Sequence, residues 1–587
     1  MRTLFLNLKI EMNRNQCYNF EDALKLITAD DSDVSDFSYD TDTEHLSQIL
    51  AIEDQEAKSS DEEEHDESNE ETSRKKHVYR WRKMDVPQMN DEFKGNFSEP
   101  PENWTPYDYF KKMFTDKTVK LIVEQTNLYS VQKTGSSINV TEDEISSFIG
   151  MHLHMGIVKL PSCTSYWAKN LRYHQIADVM PLKRFTKIKR FMHFVDNDMS
   201  EGQADKLFKI NPIIDAVRDE CRKIEPEEFQ TVDEQIIPSK TKYSKIRQYN
   251  PKKPKKWGFK NLVRAGGSGI MYDFFIYAGK DSNEDPQYNH LSKSAQVVAK
   301  LCKSLPCHMN HKVFFDNWFS TMELMRYMKN QGLLAVGTIR ANRLQGCPLQ
   351  SNKDLEKNGR GSMDYRVDAN SGIIVVKWVD NSTVLLVSNY VGVEQIGAIE
   401  RWSKESKARK DIPCPYIVIM YNKSMGGVDL ADMLIALYRI EVKTKRWYIK
   451  VFWHLVDICK VNGWLLYRRH SRQLGLPAAK QKPFLQFCTE IATALINIKK
   501  APQSSRLGRP TKHPSTEANS HGGKRAAQPT PINDIRYDQT GHWPLPSADK
   551  KRCRVCQSYS RMTCEKCKIA LCLITSRNCF KKFHTDK

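Results

Sequence analysis

The chain has 587 residues, with 90 Lys and Arg against 71 Asp and Glu, a formal charge of +19. That length suits several domains of about 100 to 200 residues each, and no stretch supplies the roughly 18 uninterrupted apolar residues that a membrane helix requires. The charge is uneven: residues 30–72 hold 18 acidic side chains and one basic one, Lys58, so the rest of the chain carries +36. A body this basic points to a polyanion, nucleic acid before all others, ahead of the alternative of ordinary solvated lysines that keep a protein in solution.

Residues 1–95 are poor in apolar side chains and acid-rich, which predicts a disordered region. The start of the chain has too short an apolar run for a secretory signal, so the cysteines are expected to be reduced. Residues 96–228 read as helical. Thr105-Pro106 gives an N-cap with a first-turn proline, and Thr141 with Glu144 forms a capping box before Ile145, Phe148 and Ile149. His152 and His154 make an H-x-H pair with no third ligand nearby, so a core role is expected rather than a metal site.

From residue 229 the periodicity changes to strands at 229–237, 258–265, 270–277, 312–316 and 334–339, with helices at 294–304 and 322–331. This order predicts a mixed α/β sheet over 229–342 with helices packed on it. Asp233 lies inside an apolar, β-prone run, and Asp316 ends another just before Asn317, Trp318 and Phe319. A carboxylate in a buried strand needs a partner, because desolvating an unpaired charge is costly. Between the first two strands runs a lysine-rich stretch, Lys242 to Lys260, interleaved with Tyr and Trp, where Lys253, Lys255, Lys256 and Lys260 are candidates for phosphate contacts.

Residues 343–415 alternate in period two and read as a β-rich insertion. Residues 416–438 return to the core and contain M-G-G-V-D-L-A-D, Met425 to Asp432, in which Asp429 and Asp432 share one face of a helix beginning after Gly426-Gly427. Capping alone accounts for acids at a helix start; gathered with Asp233 and Asp316 they would make a hard-oxygen site for Mg²⁺. Residues 439–505 are helical again, and 506–548 are a Pro, Ser and Gly-rich linker in which Arg506, Arg509 and Pro510 faintly resemble a minor-groove hook. Residues 549–587 hold six of the fifteen cysteines. Cys553, Cys556, Cys564, Cys567, Cys572, Cys579 and His584 form two C-x-x-C knuckles with partners, a zinc pattern in a segment too small to fold on its own core. Two sites need eight ligands, and His542 is the candidate for the eighth.

The ordered set D-E-Q at 233–235, F-D-N-W-F at 315–319, V-G-T-I-R at 336–340, M-G-G-V-D-L-A-D at 425–432 and K-R-W at 445–447 resembles the piggyBac family of cut-and-paste DNA transposases. The resemblance covers roughly residues 95 to 587. It implies an RNase H-like catalytic core interrupted by a β-rich insertion, a split helical domain for DNA binding and dimerisation, and a small C-terminal cysteine-rich zinc domain. It implies two catalytic Mg²⁺ held by Asp233, Asp316 and Asp429 with Asp432 as a fourth carboxylate, and two structural Zn²⁺ in the tail. It further implies a homodimer in the nucleus acting on double-stranded DNA at transposon ends and TTAA targets, through nicking, hairpin formation, hairpin opening and joining. Arg340, Arg343, Lys445 and Arg446 would hold DNA, Trp447 would stack on an unpaired base, and Arg552 and Arg554, with Lys550 and Lys551, would touch phosphates in the tail. The alternative is a domesticated, transposase-derived protein that binds DNA without catalysis.

Overall fold

A computed structural model describes residues 77–498 and 536–585, apart from short internal segments at 88, 201–204, 242–243, 245, 252, 254, 280–284 and 404–406. The acidic stretch 30–72 and the hook-like 506–510 lie outside the described residues. The chain divides into two units, one ending at Pro502 and the other beginning at Gln503.

The first unit is built on a mixed sheet. Its strands are β1 (Trp81–Arg82), β2 (Phe229–Pro238), β3 (Gln248–Tyr249), β4 (Trp257–Gly266), β5 (Met271–Ile276), β6 (Lys312–Phe315), β7 (Leu334–Thr338), β8 (Met363–Asp368), β9 (Ile374–Val379) and β10 (Thr383–Ser388). They lie in the order β1-β8-β9-β10-β7-β6-β2-β4-β3, with β5 also paired to β4. β2, β6 and β7 run parallel to one another, while β2 with β4 and β10 with β7 are antiparallel. Parallel strands need cover on both faces, and β2 accordingly buries Val232 on one side and Ile237 on the other.

One face of the sheet is covered by a helical layer from two distant parts of the chain: α1 (Pro106–Met113), α2 (Asp116–Thr134), α3 (Glu142–Ile157), α4 (Leu182–Phe191) and α5 (Asn211–Arg222), joined by the long α10 (Trp447–Gln473) and α11 (Phe484–Ile496). The capping boxes Thr105/Asp108 and Thr141/Glu144 start α1 and α3. The parts unite in one core in which Phe148, Phe185 and Trp453 meet Phe259, Val263 and Phe274 of the sheet. His152 belongs to that core, with its ring 4.1 Å from that of Trp453, and burial pushes its pKa down to about 3. The opposite face carries α6 (Lys293–Cys302) and α7 (Met322–Asn330) over Val232, Val313 and Phe315. Between β12 (Ala408–Cys414), which pairs with β11 (Gly397–Ser403), and α10 come α8 (Tyr416–Ser424) and α9 (Gly427–Leu437).

Two expectations are corrected. The β-rich stretch after residue 343 is only partly set apart from the core: β10 pairs with β7 in the register Val387↔Gly337 and β9 and β8 continue the same sheet, while β11 and β12 form a two-stranded sheet of their own. Residues 77–95, assigned above to a disordered region, form a strap. His77 and the amide of Arg80 bind Asp368 at 2.8 and 2.7 Å, Asp85 accepts from the amides of Val393 and Glu394, and the side-chain amide of Asn310 donates to the carbonyl of Glu92. The segment lacks a core of its own, but the sheet edge supplies partners that local composition does not reveal. Among the described residues, no helix is long and apolar enough to cross a membrane.

Candidate functional site

Alternation along β2 sends Thr231, Asp233 and Gln235 to one face. Parallel pairing of β2 with β6 in the register Val232↔Phe315 brings Asp233 and Asp316, the residues that follow this last matched pair, to the same end of the two neighbouring strands. Helix α9 lies over this row. Its start is fixed by two contacts: the Thr231 hydroxyl donates to the carbonyl of Ser424 at 2.9 Å, and Gly427 presses so closely on β4 that a Cβ there would stand 2.4 Å from the Gly266 carbonyl oxygen. Of the two glycines, Gly427 is therefore the close-approach residue, whereas a Cβ at Gly426 would meet nothing within 4 Å. Asp429, in the first turn of α9, is 65% exposed, while Asp432, one turn on, accepts from Gln235 at 3.3 Å and from Arg439 at 3.2 Å.

The electrostatics register this crowding. Burial pushes Asp233 up to about 7, and the neighbouring Asp429 and Asp316 add to the shift while Lys253 opposes it. Lys253 reaches into the cluster, its Nζ 3.9 Å from Asp429 Oδ1. Burial works against its charge, yet Asp233, Asp429, Glu234 and Asp432 together hold its ammonium above the ordinary value. Burial likewise raises Asp432, against Arg439 and Lys253. The buried phenol of Tyr421 is driven up by burial and then by Asp316, Asp233 and Asp429, which places it beside the same carboxylates. Such a concentration of acids, one of them reluctant to ionise, suits a hard divalent cation.

Several basic candidates are engaged within the protein. Lys260 pairs with Glu234 at 2.6 Å and lies 4.3 Å over the Trp318 ring. The Arg343 guanidinium donates to the carbonyls of Asn317, Trp318 and Ser320 at 3.0 to 3.2 Å, bolting down the loop that follows Asp316. Arg446 does the same to Lys189, Arg190 and Met192. Lys255, Lys256, Arg340 and Lys445 are exposed. Trp447 is half-buried at the first residue of α10, edge-on to Phe259 with ring centroids 5.9 Å apart. Thr231 and Arg439 were not singled out by pattern, whereas Gln235 closes the D-E-Q motif at 233–235 and Tyr421 stands shortly before the motif at 425–432.

The second unit gathers the candidate tail ligands around a hairpin of β13 (Pro544–Arg552) and β14 (Tyr559–Cys564), with Cys579 and His584 in the helix Cys579–Thr585. Two sets have all their ligand atoms within 4.8 Å of one another: Cys553, Cys556, Cys572 and Cys579, and His542, Cys564, Cys567 and His584. The six cysteines are unbridged. The sulfurs of Cys556 and Cys572 are 3.6 Å apart, close to the ~3.8 Å edge of a tetrahedron with 2.3 Å metal–sulfur bonds. His542 turns Nδ1 to Cys564 and Cys567 at 3.4 Å each, while Asp538 binds its Nε2 at 3.0 Å. Among the described residues the aspartates around Asp233 do not make a set of this closeness. Arg552 and Arg554 are exposed, and the Arg552 guanidinium lies 5.1 Å over the Tyr559 ring.

The family described as Transposase IS4 matches residues 105–464, which include every one of these aspartates. The chain is 27% identical over 518 residues to the human PiggyBac transposable element-derived protein 3, covering 86% of this chain and 81% of that protein. It is 27% identical over 459 residues to the human PiggyBac transposable element-derived protein 2, covering 77% of this chain and 72% of the relative. Its fold is similar to that of a piggyBac transposase solved by cryo-EM as a synaptic complex with hairpin DNA, with a TM-score of 0.57 and 21% identity over 81% of this chain and 97% of that one. With the family matched over more than half of its length and these relatives beside it, the chain belongs to the Transposase IS4 family, in its piggyBac type.

Proposed function

We propose that this protein is a cut-and-paste DNA transposase that binds transposon ends, excises through hairpin intermediates and integrates at TTAA. The observation that carries the reading is the meeting of Asp233 and Asp316, on adjacent parallel strands, with Asp429 on α9. The strand order β5-β4-β2-β6-β7, with β2, β6 and β7 parallel, supports an RNase H-like core. Asp233, Asp316 and Asp429, with Asp432 nearby, would hold two Mg²⁺, which would supply activation of the attacking oxygen and stabilisation of the leaving 3′ oxygen. Burial, with Asp429 and Asp316, raises Asp233 to about 7, and a cation bound beside it would favour its ionised form. Arg343 keeps the loop after Asp316 in place, and exposed Lys255, Lys256, Arg340 and Lys445 take backbone phosphates. Trp447, half covered by Phe259, retains a surface on which an unpaired base stacks. The transesterifications conserve phosphodiester bonds, so no nucleotide triphosphate enters.

Two Zn²⁺ in the tail, a homodimer on DNA and a nuclear location belong to the same reading. The second reading, a transposase-derived DNA-binding protein without catalysis, is favoured by the relatives' names as transposable element-derived proteins. A plasmid excision assay with matched transposon ends separates the two. Excision that requires Asp233 supports the transposase, and end binding without excision supports the binder.

A further inference from the structure

Helix α10 carries a buried ion pair that none of the chemistry above uses. Asp457 and Lys460 are 2.6 Å apart and their side chains are 0% and 1% exposed. Desolvating two charges is costly, and apolar side chains of similar size commonly serve stability as well or better. The pair therefore invites the question of what else it holds.

Both members reach the same turn, the one that follows α9. Lys460 Nζ donates to the carbonyl of Tyr438 at 2.6 Å, and the amide of Ile440 donates to Asp457 Oδ2 at 3.1 Å. From α3, Gly156 abuts this turn, where a Cβ would stand 2.8 Å from the Tyr438 carbonyl oxygen. The backbone is thus gripped on each side of Arg439. The Arg439 guanidinium donates to Asp432 Oδ1, and Asp432 also accepts from Gln235, two residues beyond Asp233 on β2. An ammonium with several donors and a carboxylate with two oxygens can bind each other and the backbone at once. An apolar pair of the same size cannot.

We propose that Asp457 and Lys460 are positioning residues for the carboxylate site, acting through Arg439 on Asp432 and so on the seating of α9 over β2. They lie in the helical layer and touch none of the aspartates around Asp233. The inference rests on the transposase reading, because it assigns them to a cation-binding carboxylate cluster.

The test uses full-length protein, Mn²⁺ binding followed by the paramagnetic resonance of the free ion, and a thermal melt. Wild-type Mn²⁺ binding that Asp233→Asn removes defines the site. The double variant Asp457→Leu/Lys460→Met is expected to melt within a few degrees of wild type and to bind Mn²⁺ at that site about tenfold more weakly. Asp432→Asn, costly on its own, is expected to add less than about threefold in the double-variant background, because linked residues are not additive. Unchanged Mn²⁺ affinity in the double variant overturns the proposal, as does an Asp432→Asn effect of equal size in both backgrounds; a purely structural pair would move the melt alone. Should the double variant not fold, Arg439→Gln is read by the same two criteria. Wild-type protein with no Asp233-dependent Mn²⁺ binding overturns the transposase reading together with this one, and that result is visible before any α10 variant is made.

Discussion

The Thr231 hydroxyl donates to the carbonyl of Ser424 at 2.9 Å across 193 residues of chain, and this single contact ties β2 to the end of α8 just ahead of the Gly-Gly pair. Where α9 begins decides where Asp429 stands above Asp233. Gly427→Ala is therefore expected to cost about 1 to 3 kcal/mol, the usual range for overpacking, since its Cβ would stand 2.4 Å from a backbone oxygen. Nicking should fall far more than end binding. A thermal melt beside a gel of nicked ends measures both, and a variant with wild-type nicking would show that α9 need not sit so close.

The carboxylates make a second test. Asp233→Asn, Asp316→Asn and Asp429→Asn are each expected to abolish Mg²⁺-dependent nicking while end binding persists, because each removes a hard ligand and none of the basic contacts. Electrophoretic shift and cleavage gels on the same preparations separate the two activities, and full strand cleavage by any of the three variants rules that aspartate out.

The strap at 77–95 predicts a pH effect. Asp368 is buried, but hydrogen bonds from Ser371, His77 and the amides of Arg80 and Asn370 outweigh that burial and hold its carboxyl down at about 2, below the ordinary 3.8. A depressed carboxylate stabilises the folded state above its unfolded pKa, and that stability is lost as pH falls through the folded one. Wild type should thus exceed Asp368→Asn by about 2 kcal/mol near neutrality, with the gap closing between about pH 4 and pH 2. Denaturant titrations across that range measure it; a gap independent of pH would assign the difference to packing.

Arg446 and the exposed lysines should part company. Arg446→Ala leaves three backbone carbonyls without their donor and is expected to destabilise by about 2 kcal/mol. Lys255→Ala and Lys256→Ala should leave the melt unchanged and each lower the salt slope of DNA binding by about 1. Binding isotherms at several salt concentrations settle the assignment, which fails if Arg446→Ala melts normally.

For the tail, full-length protein is expected to contain two zinc ions, one for each ligand set. His542→Ala should lose one of them to a mild chelator, and Asp538→Asn should weaken that same site by about tenfold, because a carboxylate orients the ligating imidazole. Elemental analysis before and after chelation provides the count. Two retained ions in His542→Ala would remove His542 from the ligand set.

Much of this protein was legible in local pattern. Helix starts at Thr105 and Thr141 follow from side chains that reach their own neighbours in the chain. The cysteine spacing announces the two sets of Cys and His that the tail brings together, and Asp233 and Asp316 stand out as carboxylates within or at the end of apolar strands. Long-range partners decided the rest. Period-two alternation marks β8, β9 and β10 as strands, but only the free edge of β7 makes them part of the central sheet. Arg343 and Arg446, expected to hold DNA, also donate to backbone carbonyls that only the fold brings to them, and Lys253, expected to contact phosphates, stands among four carboxylates. A sequence records which groups are charged or apolar; which of them meet is decided by strand register and by the close approach that residues such as Gly427 permit, and those belong to the folded chain alone.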